Sequence, residues 1–338
     1  MEAPGTATGT ATGTVTAVVL NYDGRHLLEV ILPSLGAQTY APLEVLVVDN
    51  GSRDDSVAWV AEHWPEVEVL RIADNIGVAA ALNRGVRAAR GAYVALLNND
   101  LELEPDWVAE LVGALDRHPA AATAACKLRS YHRRDHLDGA GDVLTRAITG
   151  MRRGLGELDV GQYDEEQEVF APTAGAAVYR ASAFAAVGLF DESFFAYLED
   201  VDWGLRARLL GLGCRYVPSA VGYHMGSATT RGDANPYYWM LARRNQIGVM
   251  VKDVPLRLLI RHAVPITLEH LAVFVDAVRR RRPGAYLAAA RQVAPRLPGW
   301  LRERRRIQRA RRISVDELDA MLLPAGLAGR IARRLRSR

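Results

Sequence analysis

Leu43-Glu44-Val45-Leu46-Val47-Val48-Asp49-Asn50-Gly51-Ser52 decides how the rest of the chain is read. The apolar run Leu43 to Val48 predicts a buried strand, and it stops abruptly in a polar turn of Asp, Asn, Gly and Ser. The same unit recurs on both sides. Upstream, Val15-Thr16-Ala17-Val18-Val19-Leu20 runs into Asn21-Tyr22-Asp23. Downstream, Val67 to Arg71 leads to Asp74-Asn75-Ile76-Gly77, and Tyr93 to Leu97 leads to Asn98-Asn99-Asp100. Helices are predicted between these strands over 25–37, about 54–63 and 77–90; the first carries Leu27, Leu28, Ile31, Leu32 and Leu35 on one face. The resulting β-α-β-α-β-α-β order predicts an α/β fold with a mostly parallel sheet flanked by helices. Ligands bind such sheets at the carboxyl ends of the strands. Any one polar turn is ordinary turn chemistry, but four along one edge build a ligand crevice.

Further along, 127–169 is rich in Arg, Asp and Gly with weak periodicity, and reads as loops with a short strand or two lining an acceptor site. A second ordered block, 171–225, holds predicted helices near 182–187 and 199–210 and strands near 214–217 and 220–224. After Asn235 the pattern is helical over 237–251, 256–279, 285–293 and 301–312. The expected organisation is a disordered leader over 1–13, a catalytic domain over 14–235 and a helical, arginine-rich C-terminal extension over 236–338.

Composition narrows the class. With 338 residues, 49% apolar and 24% charged, the chain suits a soluble globular protein with a sizeable core. The net charge of +3 hides a polarity: residues 251–338 hold 21 Lys+Arg against 7 Asp+Glu, so the first 250 residues sum to −11. Cys126 and Cys214 lack metal-ligand spacing, which fits a reducing compartment and no structural zinc. The Ala/Thr/Gly leader has neither a basic nor an apolar signal region. The most apolar tail stretch, 256–278, is interrupted by Arg257, Arg261, His262, Glu269, His270 and Asp276, too often for a bilayer span. The expected location is therefore cytoplasmic.

No G-x-G-x-x-G follows the first strand and no Walker A sequence occurs, which excludes the common dinucleotide and P-loop readings. Instead, Asp49-Asn50-Gly51-Ser52, Asn75-Ile76-Gly77 leading to Leu82-Asn83-Arg84-Gly85, and Asn98-Asn99-Asp100 before Glu104-Pro105-Asp106 resemble the family 2 glycosyltransferases with the GT-A fold. Gly175-Ala176 through Arg180, Gly188-Leu189-Phe190-Asp191-Glu192, Phe194 to Asp202, Arg206, Gly211 and His224 resemble their rhamnosyltransferase-like branch. The resemblance covers about 15–226 and reaches weakly into 237–245.

It implies an inverting, metal-dependent transferase using a UDP- or dTDP-sugar, dTDP-rhamnose among them, and a saccharide or polyprenyl-linked acceptor in polysaccharide or cell-envelope glycan synthesis. Asp49 would contact the base, with Asn21, Asn75, Gly77 and Asn83 in the same pocket, Asn99 near the ribose and Gly175 also at the nucleotide sugar. Asp100 and His224 would hold Mn²⁺ or Mg²⁺ at the donor diphosphate. Asp200 would be the catalytic base, with Glu199, Asp202 and Trp203 on the acceptor side. One departure is plain: Asn98-Asn99-Asp100 offers a single acid where many relatives have two or three, and Glu102 is the nearest compensating carboxylate.

Plainer readings exist for several of these residues. Glu199, Asp200 and Asp202 open a predicted helix, where acids are favoured by the macrodipole. Trp203 could be core, and His224 a structural histidine. A non-catalytic scaffold of the same fold is the alternative function, yet such a relative would be expected to have lost Asp100 or Asp200. The arginine tail lacks interleaved base-stacking aromatics, so nucleic acid is not an expected partner. It reads as a peripheral attachment to the anionic inner face of a membrane, or as helices packed on the catalytic domain with a solvated basic face.

Overall fold

In the computed structural model, which describes residues 13–226, 236–281 and 283–324, strand and helix alternate through the first half as the periodicity requires. β1 (Val15–Asn21), β2 (Leu43–Asn50), β3 (Glu68–Ile72) and β4 (Tyr93–Asn98) lie parallel in the order β4-β1-β2-β3. The chain returns through α1 (Arg25–Gly36), α2 (Ser56–His63) and α3 (Val78–Ala88). The pleat of β1 divides the core in two. Val15, Ala17 and Val19 join Leu28, Ile31 and Leu32 of α1 on one face, while Val18 meets Leu82 on the other. Pairing of Asn21 with Asp49 and of Leu20 with Asn98 sets the polar strand ends side by side.

The sheet then widens through β5 (Leu101–Leu103), β6 (Ala121–Ser130), β7 (Leu137–Gly139), β10 (Gln167–Val169), β11 (Ala176–Arg180) and β12 (Gly213–His224), with β8 (Asp142–Leu144) and β9 (Gly150–Arg152) forming a separate hairpin. α4 (Trp107–Arg117), α5 (Ala181–Val187) and α6 (Glu199–Leu209) cover its faces. The backbone order is β10-β12-β6-β11-β4-β1-β2-β3, with β11 antiparallel to β4 and β6 and β12 parallel to β6. This is the expected α/β class with a mainly parallel sheet. Two details differ. The 127–169 stretch holds four short strands besides the end of β6, and 214–224 is one bulged strand rather than two.

The C-terminal helices are α7 (Pro236–Lys252), α8 (Leu256–Arg261), α9 (Ala263–Arg279), α10 (Pro283–Val293), α11 (Leu297–Ala310) and α12 (Val315–Ala320). The helix expected over 256–279 breaks at His262. Pro265 has no N–H to bond the carbonyl of Arg261, so the helix cannot run through. Much of this extension packs on the α/β body: Leu205, Leu209, Val249, Leu258, Ile307, Val315 and Leu318 share one core. The Leu323 N–H donates to the Leu144 carbonyl at 3.0 Å. No helix among the described residues is long and apolar enough to cross a membrane. The leader through residue 12, the segment 227–235 carrying the expected domain boundary, and 325–338 lie outside the described residues.

Candidate active site

The strand ends open into one crevice of about 1220 Å³, lined on the sheet side by Asn50, Asn75, Gly77, Asn99, Asp100 and Gly175. The rest of the lining comes from Asp138, Asp142, Arg152, Glu199, Asp200 and His224, with Leu241, Arg243, Gln246 and Val249 of α7. The parts of the chain that the sequence assigned to donor and acceptor therefore share a single cavity.

At the sheet end, amide side chains tie the turns together. The Nδ2 of Asn99 donates to Asn21 Oδ1 at 2.7 Å, and the Nδ2 of Asn21 donates to Asp49 Oδ1 at 3.3 Å and Ser52 Oγ at 3.2 Å. Asn50 Nδ2 donates to Asn75 Oδ1 at 3.2 Å while the Ile76 N–H donates to Asn50 Oδ1 at 3.0 Å. Asn21 and Asp49 are almost wholly buried beneath the crevice rather than along its lining. Asn50 does line it and was not singled out from the sequence. Two glycines are required by close approach. At Gly77, with φ of 90°, a Cβ would stand 2.5 Å from the Phe195 ring; at Gly175 it would stand 2.5 Å from the Asn98 amide.

Asp100 follows β4 and His224 ends β12. Antiparallel pairing of β12 with β5 sets His224 opposite Leu101, which brings His224 Nε2 to 3.3 Å from Asp100 Oδ2. On its other side, His224 Nδ1 is 2.8 Å from Asp138 Oδ2. Burial pushes the imidazole pKa down, but the two carboxylates outweigh it and raise it to about 9. Burial also works against the Asp138 carboxylate, yet His224 and Arg152 hold it below the usual range. Asp100 Oδ1 is buried and has no hydrogen-bond partner among the described residues. These groups fit a divalent cation: an orphaned carboxylate oxygen beside an imidazole whose other nitrogen is held by a carboxylate. No third His, Cys, Asp or Glu completes a metal cluster among the described residues. Hard cations of this kind draw much of their coordination from phosphate oxygens and water.

At the other end, α6 opens with Glu199 and the half-buried Asp200. Burial raises the Asp200 pKa above the ordinary carboxylate range, against the Val201 N–H and Arg152, which lower it. Glu199 is buried, with Oε2 unpartnered among the described residues, and burial with the Asp200 charge lifts it to about 8. Asp142, paired with Arg152 across the β8–β9 hairpin, is lifted to about 7 by burial and then by Asp200. The crevice thus holds carboxyl groups poised near neutrality, a pattern typical of acid–base sites. The loop before α6 is strained. Phe195, Tyr197 and Leu198 have φ of 64°, 72° and 66°, and such left-handed residues cost on the order of 1–3 kcal/mol each.

Three residues expected in the site stand elsewhere. Asp202 is wholly buried on the opposite face of α6, bound by Arg206 at 2.8 Å and Lys252 at 2.5 Å. Trp203 packs against Tyr179 at 5.1 Å and donates from Nε1 to the Gly188 carbonyl at 2.8 Å, so it is core. Asn83 clasps the turn ahead of the 195–198 loop: its Nδ2 donates to the Phe190 carbonyl at 2.9 Å and its Oδ1 accepts from the Phe190 N–H at 3.0 Å. The helical period explains Asp202, which lies two positions past Asp200 and so turns away from the crevice. Trp203 is instead taken up by the aromatic cluster of Tyr179, Phe184 and Phe190. Asp138, Asp142 and Arg152 were missed; each sits on a three-residue strand with too little pattern to read.

Comparison with known proteins agrees with this fold. The family model "Glycosyl transferase family 2" matches residues 16–188, just over half of the chain. The chain is 28% identical over 299 residues to the N-acetylglucosaminyl-diphospho-decaprenol L-rhamnosyltransferase of Mycobacterium tuberculosis, covering 78% of this chain and 94% of that one. Among solved structures it resembles GalNAc-T7 with UDP, GalNAc and Mn²⁺ at a TM-score of 0.58 and 16% identity, over 72% of this chain and 48% of that one. It also resembles the mannosyltransferase PcManGT of Pyrobaculum calidifontis with GDP-Man and Mn²⁺, at 0.53 and 19%, over 89% and 86%. The chain belongs to glycosyl transferase family 2 and is a glycosyltransferase.

Proposed function

We propose that this glycosyltransferase moves a sugar, with rhamnose the leading candidate, from a dTDP- or UDP-sugar to a lipid-linked saccharide, with inversion at the anomeric carbon. The observation that carries the reading is the shared crevice, which Asp100, His224 and Asp200 all line. The Mycobacterium tuberculosis relative is named for rhamnosyl transfer to a diphospho-decaprenol-linked acceptor, which supports the donor and acceptor classes.

On this reading the Asn21–Asp49–Asn99 network shapes the floor under the nucleoside. Asp200 takes the proton of the acceptor hydroxyl as its oxygen bonds to the anomeric carbon, and the bond from that carbon to the diphosphate breaks on the opposite face. A base whose pKa is raised above its ordinary value suits such a transfer, typically worth ~10²–10⁴-fold. Asp100 and His224 would hold a Mn²⁺ or Mg²⁺ ion, whose chemistry is to neutralise charge on the departing diphosphate. Mn²⁺ in both structural neighbours supports this assignment. The lipid acceptor would be met at an anionic membrane surface. Leu256, Ile260, Val264, Leu268, Leu271, Val275 and Val278 make an exposed apolar stripe along α8 and α9, with Arg279, Arg280 and Arg281 at its end.

The test is a transfer assay pairing dTDP-rhamnose and a set of UDP-sugars with a polyprenyl-diphosphate N-acetylglucosamine acceptor in Mn²⁺. Lipid-soluble product from dTDP-rhamnose supports the reading. Transfer only to water-soluble saccharides, or only from GDP-sugars, overturns it.

A further inference from the structure

The loop ahead of Glu199 and Asp200 keeps three bulky residues, Phe195, Tyr197 and Leu198, in a backbone region that favours glycine. Side chains of α7 brace that shape. Asn245 Nδ2 lies 3.1 Å from the carbonyl of Phe194, 2.9 Å from that of Ala196 and 2.7 Å from that of Tyr197. Arg244 Nη2 donates to the carbonyls of Ser193 at 3.1 Å and Phe194 at 2.6 Å. Its Nε donates to Asn245 Oδ1 at 2.9 Å, which fixes the direction of the amide, and its Nη1 donates to Gln292 Oε1 of α10 at 2.9 Å.

Both side chains are buried, Arg244 at 3% exposure and Asn245 at 0%. Every hydrogen bond of this guanidinium named above goes to a neutral oxygen, and burial with the nearby Arg296 pushes its pKa down to about 10. Burying a cation against carbonyls is a costly choice that core packing does not call for. It suits a loop whose exact shape matters. On its other flank the loop is anchored to the donor end, where the Ala79 N–H donates to the Phe195 carbonyl at 3.2 Å.

We propose that Asn245, oriented by Arg244, is a positioning residue that holds the left-handed 195–198 loop and so aims the Asp200 carboxylate into the crevice. This rests on Asp200 as the base, and it makes α7 part of the catalytic unit. In the full chain, Asn245→Ala should lower kcat by at least ~10-fold, since small misplacements of reacting groups are that costly. The Kd for UDP or dTDP in Mn²⁺, measured by calorimetry, should stay within ~3-fold, because the loss falls on the chemical step. The acid limb of the pH–kcat profile should also move toward the ordinary carboxylate range as water reaches Asp200.

Gln292→Ala, which touches neither the loop nor the crevice, should shift both readouts in the same direction by less. Wild-type kcat and pH profile in the folded fraction of Asn245→Ala overturn the proposal. If that variant does not fold, an unchanged kcat in Gln292→Ala overturns it instead. An active Asp200→Asn would sink the base assignment; an inactive Asp200→Asn beside a fully active Asn245→Ala would sink the positioning role alone.

Discussion

His224 Nε2 stands 3.3 Å from Asp100 Oδ2, although His224 ends β12 and Asp100 lies in the turn between β4 and β5. The short β5–β12 ladder makes that meeting obligatory, because His224 is paired with the residue after Asp100. Chelation should therefore abolish transfer. UDP or dTDP should raise the Tm in Mn²⁺ but not in EDTA, and Asp100→Ala should erase the difference. Asp138→Asn should weaken Mn²⁺ binding by ~10–100-fold, the usual effect of losing the group that orients a metal-binding imidazole. Full activity in excess EDTA would contradict the assignment.

The pH dependence follows from the raised carboxyl groups. Asp200 must be ionised to accept a proton, and its pKa lies above the ordinary value, so kcat/KM should rise with pH through a limb displaced upward from 3.8. Asp142→Asn removes a neighbouring negative charge and should move the limb to lower pH. Arg152→Gln removes a positive charge that favours ionised Asp200 and should move it higher. Shifts in the reverse directions would show that another group controls the limb.

Asp202 should matter to folding rather than to transfer. Asp202→Ala leaves Lys252 and Arg206 buried without their shared carboxylate, and breaking a buried pair from one side costs about 3–5 kcal/mol. Chemical denaturation should show that loss, while the folded fraction still binds UDP or dTDP. A stable Asp202→Ala protein with kcat reduced 10²-fold would return Asp202 to the acceptor site.

The stripe on α8 and α9 gives a membrane test. Val264 and Leu268 are 70% and 56% exposed, so Val264→Glu and Leu268→Glu together should cost little stability. Wild-type protein should sediment with anionic phosphatidylglycerol vesicles and release as salt rises, since screening shortens the Debye length from ~10 Å at 0.1 M. The double variant should remain in the supernatant. Equal sedimentation of both proteins would contradict a role for this face.

How much of this was legible beforehand depends on residue chemistry. β1 to β4 announce themselves because Val and Leu runs end in Asn, Asp and Gly, and the same polar ends mark the crevice. β6 and β11 are equally central, yet Ala121-Ala122-Thr123-Ala124-Ala125 and Ala176-Ala177 carry little strand preference. Asp138, Asp142 and Arg152 converge only through the pairing of β7 with β6 and β8 with β9, which no local pattern encodes. The displacement of Asp202 from the acceptor side was, by contrast, readable: Arg206 lies four residues on, the spacing of a same-face helical ion pair. The arginine tail supported two readings, and the packing one accounts for part of it while the membrane one stays a proposal. α7, α8, α11 and α12 all contribute to buried cores, while the outer faces of α8 and α9 leave apolar residues exposed.

The central claim is that Asp200 removes the acceptor proton. The most direct test is the turnover of Asp200→Asn against wild type, with dTDP-rhamnose or whichever donor the assay selects, at saturating acceptor and Mn²⁺. Asparagine fills nearly the same space but is no base. The account predicts a fall in kcat of at least ~10²-fold with the Kd for the nucleoside diphosphate unchanged. Near-wild-type turnover by the asparagine variant would contradict it and leave Glu199 as the remaining carboxyl at the head of α6.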